Sequence, residues 1–265
     1  MITLIESTLH EWINTQRKKN IPTLLVSGAE YALFSGGKRI RPRLMLSSAQ
    51  ALGLSLERVI PLAVAIELYH TFSLVHDDLP GLDNDDLRRG VPTVHRMFGE
   101  AQAILIGDWL LHESMRMIYR FSSSHELMTC FEESTGGIGV IGGQSIELTI
   151  SQPTEKEIHR IHDQKTAALF RFSVAAPSFL HPTLNAQFSK NLLEFGTSLG
   201  LAFQAADDLE DKTPSRRSSQ EMIKHFSQSL DRYEKWFKEP IWPGNTELLC
   251  TACREVVNKL RSSTQ

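Results

Sequence analysis

Apolar residues recur at three- and four-residue spacing along almost the whole chain, with no sustained two-residue alternation that would mark strands. Leu4, Ile5, Leu9, Trp12 and Ile13 give a helix over 3–18, and the same period predicts helices over 24–34, 43–52, 57–78 and 100–121. It returns over 154–180, 186–211, 221–238 and 246–261. The segment 57–78 is apolar nearly all round, which marks a buried central helix, and Pro61 stands where an opening turn tolerates a proline. Residues 92–99 read as a connector, 122–125 as a loop, 212–219 (KTPSRRSS) as a polar loop and 240–245 as a turn. The pattern as a whole predicts an all-α protein.

Two of these helices end in the same way. Ala63, Ile66, His70, Ser73 and Asp77 share one face of the 57–78 helix, which runs into HDDLPGLDNDDLRRG at 76–90. If Pro80 and Gly81 bulge out of the helix, Asp83 falls about one turn from Asp77. In the 186–211 helix, Leu199 and Phe203 lead into Gln204, Asp207, Asp208 and Asp211, all on one face. Like charges packed this densely repel unless a cation lies among them, and oxygen-rich clusters suit Mg²⁺, which also takes phosphate oxygens. A merely solvated acidic end would not need a long apolar shaft leading into it. The duplication is the most specific signal in the chain: two such ends facing one another would hold a metal cluster.

Cations appear where a phosphorylated ligand would need them. Gly36-Gly37-Lys38-Arg39-Ile40-Arg41-Pro42-Arg43 puts four cations after two glycines that free the backbone for close approach. Arginine forks and lysine point charges both match phosphate oxygens. The segment is no Walker loop, because the second glycine and the following hydroxyl are missing. Arg88 and Arg89 follow the first aspartate cluster, and Lys165-Thr166 sits in the 154–180 run. Gly137, Gly139 and Gly142 form a formal GxGxxG with Asp163 beyond it. No strand precedes it, so glycines that let two helices approach closely are the better reading.

Bulk properties narrow the class. At 265 residues with 41% hydrophobic and 22% charged residues, the chain resembles an ordinary globular protein with a substantial core. A net charge of −3 argues against a general nucleic-acid binder, while the clustered cations leave local anion binding open. The three cysteines, Cys130, Cys250 and Cys253, make no disulfide framework and fit a reducing compartment. No run of about 20 apolar residues suggests a membrane span, and the N-terminus carries no secretory pattern. A cytoplasmic protein is expected.

GGKRIRP, the DDxxxxD of SLVHDDLPGLDNDDLRRG with FGEAQAILIGD after it, GGQSIEL, the Lys165-Thr166 pair and FQAADDLED occur in that order over residues 28–211. On these blocks the chain resembles the trans-isoprenyl diphosphate synthases, and among them the bacterial farnesyl diphosphate (geranyltranstransferase) type. The resemblance implies an isoprenoid synthase bundle of about ten helices around a central cavity, a single polyprenyl synthase domain over 1–265 with a short region after residue 211, and a homodimer. It implies three Mg²⁺ ions with diphosphate bound, held by Asp77 and Asp83 with Asp78 supporting, and by Asp207 with Asp208 and Asp211 through water. Arg88, Lys165, Thr166 and Gln204 would bind the allylic diphosphate. Gly37, Lys38, Arg41, His70 and Arg89 would take isopentenyl diphosphate.

The reaction so implied is ionisation of dimethylallyl or geranyl diphosphate, attack by the homoallylic double bond and proton loss, giving farnesyl diphosphate. Phe72 and Ser73, about one turn deeper than Asp77, would set product length, and an aromatic at Phe72 resembles enzymes that stop at C15. A geranyl or geranylgeranyl diphosphate synthase, or a low-activity regulatory subunit, is the alternative. A class I terpene cyclase should not need the second set of cations, and a phosphohydrolase built on His76-Asp77 lacks its other ligands. Departures from the family pattern are Glu147 in place of an aspartate and the lysine-poor segment after Lys212, which leaves three alternatives: weak closure, Arg216 and Arg217 as substitutes, or a site less well sealed from water.

Overall fold

A computed structural model describes residues 1–121, 124–210 and 220–262. Helices α1 (Ile2–Arg17), α2 (Thr23–Phe34), α3 (Ile40–Ala51) and α4 (Leu56–Asp77) lead to a two-stranded hairpin, β1 (Leu87–Arg88) and β2 (Val91–Pro92). Then come α5 (Val94–Phe98), α6 (Glu100–Phe121), α7 (His125–Thr135), α8 (Val140–Thr149) and α9 (Glu155–Ile161). A π-helical turn (His162–Ala167) runs into α10 (Ala168–Ala175) and a 3₁₀ turn (Ala176–Leu180), followed by α11 (Ala186–Glu210), α12 (Gln220–Trp236) and α13 (Glu247–Ser262). The chain divides into two compact units, residues 1–43 with 60–123 and residues 44–59 with 124–265.

In the first unit α6 packs on α2 and α5, and α1 on α2. Of the residues whose spacing predicted α1, Ile5, Leu9, Trp12 and Ile13 are buried and Leu4 is half-buried. Gly28 of α2 lets Ile106 of α6 into its place, since a Cβ there would lie 2.1 Å from Ile106 Cδ1. The Ser114 hydroxyl donates to the Ala65 carbonyl at 2.7 Å, fixing α6 against α4. From Leu62 to Tyr69 every residue of α4 is buried, as a sequence apolar but for Glu67 leads one to expect. Of the described helices only α4 is long and apolar enough to cross a membrane, and 72% of its most apolar stretch lies inside the protein, as in a core helix. It begins earlier than the proline suggests: Pro61 sits in the second turn, where its ring removes one helical bond.

In the second unit α11 is the shaft on which the π-helical turn, α10, α12 and α13 pack. Gly196 and Gly200 face Arg171 and Ala167 so closely that a Cβ on either would lie 2.6 Å from the opposing Cα. Phe195, Tyr233, Trp236, Phe237 and Trp242 form a ring cluster that ties α11 to α12 and the following turn. Ser48 holds residues 44–59 to this unit through a 2.6 Å hydrogen bond to the Val174 carbonyl.

Three expectations need correction. The connector 92–99 contains helix α5, the hairpin just before it is a strand pair too short for periodicity to register, and the single helix expected over 154–180 is four consecutive segments. The glycine run has two functions rather than one. Gly143 brings α8 against the Lys165 backbone, whereas Gly139 and Gly142 make room for carbonyls of their own turn, those of Ser134 and Gly137. Helix α7, not a strand, leads into the run, so the dinucleotide motif has no structural counterpart.

Candidate active site

Pro80 and Gly81 end α4 as expected, and the chain then turns back on itself. The Asp83 N–H donates to the Asp77 carbonyl at 2.9 Å, and Leu82 and Asn84 both donate to the Leu79 carbonyl. Asp83 is thereby held beside Asp77 across the five-residue excursion between them. Asp77 is half-buried and Asp83 exposed. Two accessible carboxylates fit Mg²⁺, which is held through one or two carboxylates, waters and phosphate oxygens rather than an all-protein cage. Among the described residues no three acidic, imidazole or thiol groups converge on a point.

Asp78 has a different environment. It is buried, and Arg88 reaches it with Nε at 2.7 Å from Oδ1 and 3.0 Å from Oδ2. Burial alone would lower the Arg88 pKa, but the hydrogen bond and charge of Asp78, with Asp77 and Asp85, hold it above the usual value. The pair anchors the β1–β2 hairpin to the end of α4. Arg89 and Gly90 form the two-residue hairpin loop at φ of 54° and 81°, the primed turn geometry that suits paired strands. An arginine is an unusual occupant of that conformation. Its guanidinium donates to the Gly36 carbonyl and lies where a Cβ on Gly37 would be, 2.9 Å from Nη1.

The glycine-cation loop lies opposite. Gly36, Gly37 and Arg39 have φ of 99°, 135° and 50°, so the chain curls tightly before α3 begins. Lys38 is exposed at the tip. Arg41 Nη1 donates to His70 Nε2 at 3.1 Å, which leaves the histidine proton on Nδ1. His70, Asp78, Arg88 and Arg89 line one cleft together with Glu67, Tyr31 and Ser35. Burial and the surrounding arginines hold the His70 pKa well below its ordinary value. The unfolded chain takes a proton at His70 near pH 6.5 that the folded chain refuses, so stability falls on acidification from that point. Thermal melts from pH 7 to 5.5 should show a shallower decline for His70→Gln, by up to about 1.4 kcal/mol per pH unit.

On the second unit the same design recurs in different contacts. The Thr166 hydroxyl donates to Gln204 Oε1 at 2.7 Å, and Gln204 Nε2 donates to Asp208 Oδ1 at 2.8 Å. His162 Nε2 lies 3.5 Å from Asp208 Oδ2. Asp208 is buried and Asp207 half-buried, so Asp207 is the more open of the two. Lys165 pairs with Glu147 at 2.5 Å. The π-helical turn that carries His162, Lys165 and Thr166 is a feature frequent at functional sites. Asp211 falls outside the described residues, as do Lys212, Arg216 and Arg217.

Phe72 is buried on α4, its ring edge-to-face with Tyr69 and with His76 at centroid distances of 5.2 and 5.0 Å. Ser73, half-buried, donates its hydroxyl to the His70 carbonyl at 2.9 Å. Sequence reasoning passed over Glu67, Glu6 and His162. Glu67 carried a signal, being a carboxylate inside the most apolar helix. His162 carried only its place three residues before Lys165.

A family model described as polyprenyl synthetase matches residues 22–227. The chain is 41% identical over 199 residues to a farnesyl diphosphate synthase of Geobacillus stearothermophilus, covering 72% of this chain and 67% of that one. It is 36% identical over 217 residues to a geranylgeranyl diphosphate synthase of Cyanophora paradoxa, covering 78% and 71%. The crystal structure of a geranyltransferase from Legionella pneumophila superposes with a TM-score of 0.83 at 29% identity, covering 97% of this chain and 96% of that one. The fold is that of the isoprenoid synthases, and the chain belongs to the polyprenyl synthetase family.

Proposed function

We propose that the chain is a Mg²⁺-dependent prenyltransferase that condenses isopentenyl diphosphate with dimethylallyl or geranyl diphosphate to give farnesyl diphosphate. The observation that carries this reading is the first unit's cleft, lined by His70, Asp78, Arg88 and Arg89, where Arg88 binds Asp78 beside the returned Asp77–Asp83 loop and Arg89 donates to the Gly36 carbonyl of the glycine-cation loop. Asp77 and Asp83 would hold metal with Asp78 supporting, and Asp207 would do so with Asp208 and Asp211 supporting. Three Mg²⁺ ions are expected with diphosphate, and bound metal supplies charge stabilisation to a departing diphosphate.

The chain's own residues do the rest. Lys165, Thr166 and Gln204 would orient the allylic diphosphate, with Lys165 exchanging Glu147 for phosphate. Lys38, Arg41, Arg89 and the Gly37 backbone would hold the isopentenyl diphosphate, with neutral His70 donating from Nδ1. The reaction so read makes and breaks no bond to protein and needs no protein nucleophile.

We further read the chain as one catalytic domain, working as a homodimer in the cytoplasm. Leu105, Met115 and Tyr119 expose apolar surface along α6, which supports a partner there. The test of the reaction class is diphosphate release with Mg²⁺. Release that needs both substrates supports condensation, whereas release from the allylic substrate alone would point to a cyclase or hydrolase. No release at all would favour a regulatory subunit.

Product length has a second reading, because relatives include both farnesyl and geranylgeranyl diphosphate synthases. Phe72 favours the shorter product. Phe72→Ala should shift the products, identified by mass, from C15 towards C20 or longer, and an unchanged C15 output would remove Phe72 from that role.

A further inference from the structure

Of the four cations in the glycine-cation loop, Arg39 is the one withdrawn into the protein. Arg39 is buried, its side chain 4% exposed, and it points into a pair of carboxylates. Its Nε donates to Glu6 Oε1 at 2.8 Å, its Nη1 to Glu67 Oε1 at 2.7 Å, and its Nη2 to the Leu33 carbonyl at 2.5 Å. Glu67 is 5% exposed and Glu6 32% exposed. Glu67 also lines the cleft that His70, Arg88 and Arg89 face.

A buried carboxylate amid cations that must bind an anion is a cost unless it has a structural return. That return lies in the backbone. Arg39 has a φ of 50°, a conformation that costs a non-glycine residue of order 1 kcal/mol or more and persists only when its surroundings enforce it. The side chain is held by groups from three places: Glu6 on α1, the Leu33 carbonyl on α2 and Glu67 on α4. Locking Arg39 there fixes the curl that turns Lys38 out to solvent and starts α3 with Arg41 against His70. It also sets Gly36 and Gly37 where Arg89 meets them.

We propose that Glu67, with Glu6, is a positioning residue for the isopentenyl diphosphate subsite, acting through Arg39 and touching no substrate itself. The proposal rests on the prenyltransferase reading above. It distinguishes Arg39 from its neighbours Lys38 and Arg41: the middle cation of the loop organises, and the outer two bind. Burial alone would lower the Arg39 pKa, yet Glu6 and Glu67 hold it above its ordinary value, in accord with a permanently charged anchor.

The test compares wild-type protein, Glu67→Gln and Glu6→Gln in steady-state condensation with Mg²⁺, varying each substrate in turn, alongside thermal melts. Glu67→Gln should raise KM for isopentenyl diphosphate by about tenfold or more while KM for the allylic diphosphate stays within about twofold. Glu6→Gln, which removes the more exposed arm, should give the same selective change at smaller size. It decides the matter if Glu67→Gln does not fold. A lowered melting temperature with both KM values unmoved, or an equal rise in both, would overturn the proposal by making the cluster merely structural. Wild-type protein that fails to condense the two substrates would instead overturn the functional reading.

Discussion

Asp77→Ala is expected to lower kcat by about 10³-fold, or about 4 kcal/mol, without loss of the fold. The carboxylate is half-buried at the end of α4, and its neighbours Asp83, Asp85 and Asp86 carry the same charge. Removing it relieves repulsion in metal-free protein, so the melting temperature without Mg²⁺ should hold or rise slightly. On the proposed function it removes a hard oxygen ligand, and with it the charge stabilisation that a departing diphosphate would need most in the transition state. The stabilisation that Mg²⁺ with inorganic pyrophosphate gives the wild type should therefore shrink in the variant. The Asp83 N–H to Asp77 carbonyl bond is made by backbone, so the loop survives the change. A variant with near-normal kcat would remove Asp77 from the metal site.

Arg88→Ala should be damaging in two separable ways. Asp78 is buried and takes both guanidinium contacts from Arg88. Truncating the arginine leaves that carboxylate without its counter-charge, at a cost of about 3 kcal/mol. A fall in melting temperature of roughly 6–12 °C should follow. The hairpin would also lose its anchor, so Arg89 would no longer be held on the Gly36 carbonyl, and kcat/KM should fall by about 10²-fold. Adding Asp78→Asn to Arg88→Ala should restore part of the stability, because the orphaned charge is gone, and none of the activity. Recovery of both together would mean that the pair serves folding alone.

The helical architecture was legible because hydrophobic period decides it. α1, α6 and α11 follow the period closely, and the buried face of α4 was visible in its uninterrupted apolar run. The return of Asp83 to Asp77 was legible too, since Pro80-Gly81 at a helix end leaves few alternatives. Contacts made by single polar residues across helices were not. Nothing in local spacing tells that Arg39 turns inward to Glu6 and Glu67 while Lys38 stays exposed and Arg41 meets His70. Nor does it tell that Asp78 belongs to Arg88 and Asp208 to Gln204 and His162. In both DD pairs the second aspartate is the buried one. A helix rotates adjacent residues by about 100°, so of two neighbours one faces the site and the other faces protein. The π-helical turn at Lys165-Thr166 left no periodic trace, being a single wide turn in an otherwise helical run.

A chain that joins two diphosphate substrates must make a product five carbons longer than the allylic one, and identifying that product is the decisive measurement. Purified protein is incubated with Mg²⁺, isopentenyl diphosphate and geranyl diphosphate, and the products are identified by mass. A C15 diphosphate that disappears when the metal is chelated is the predicted result. Folded protein that forms no prenyl diphosphate longer than the C10 substrate would contradict the claim.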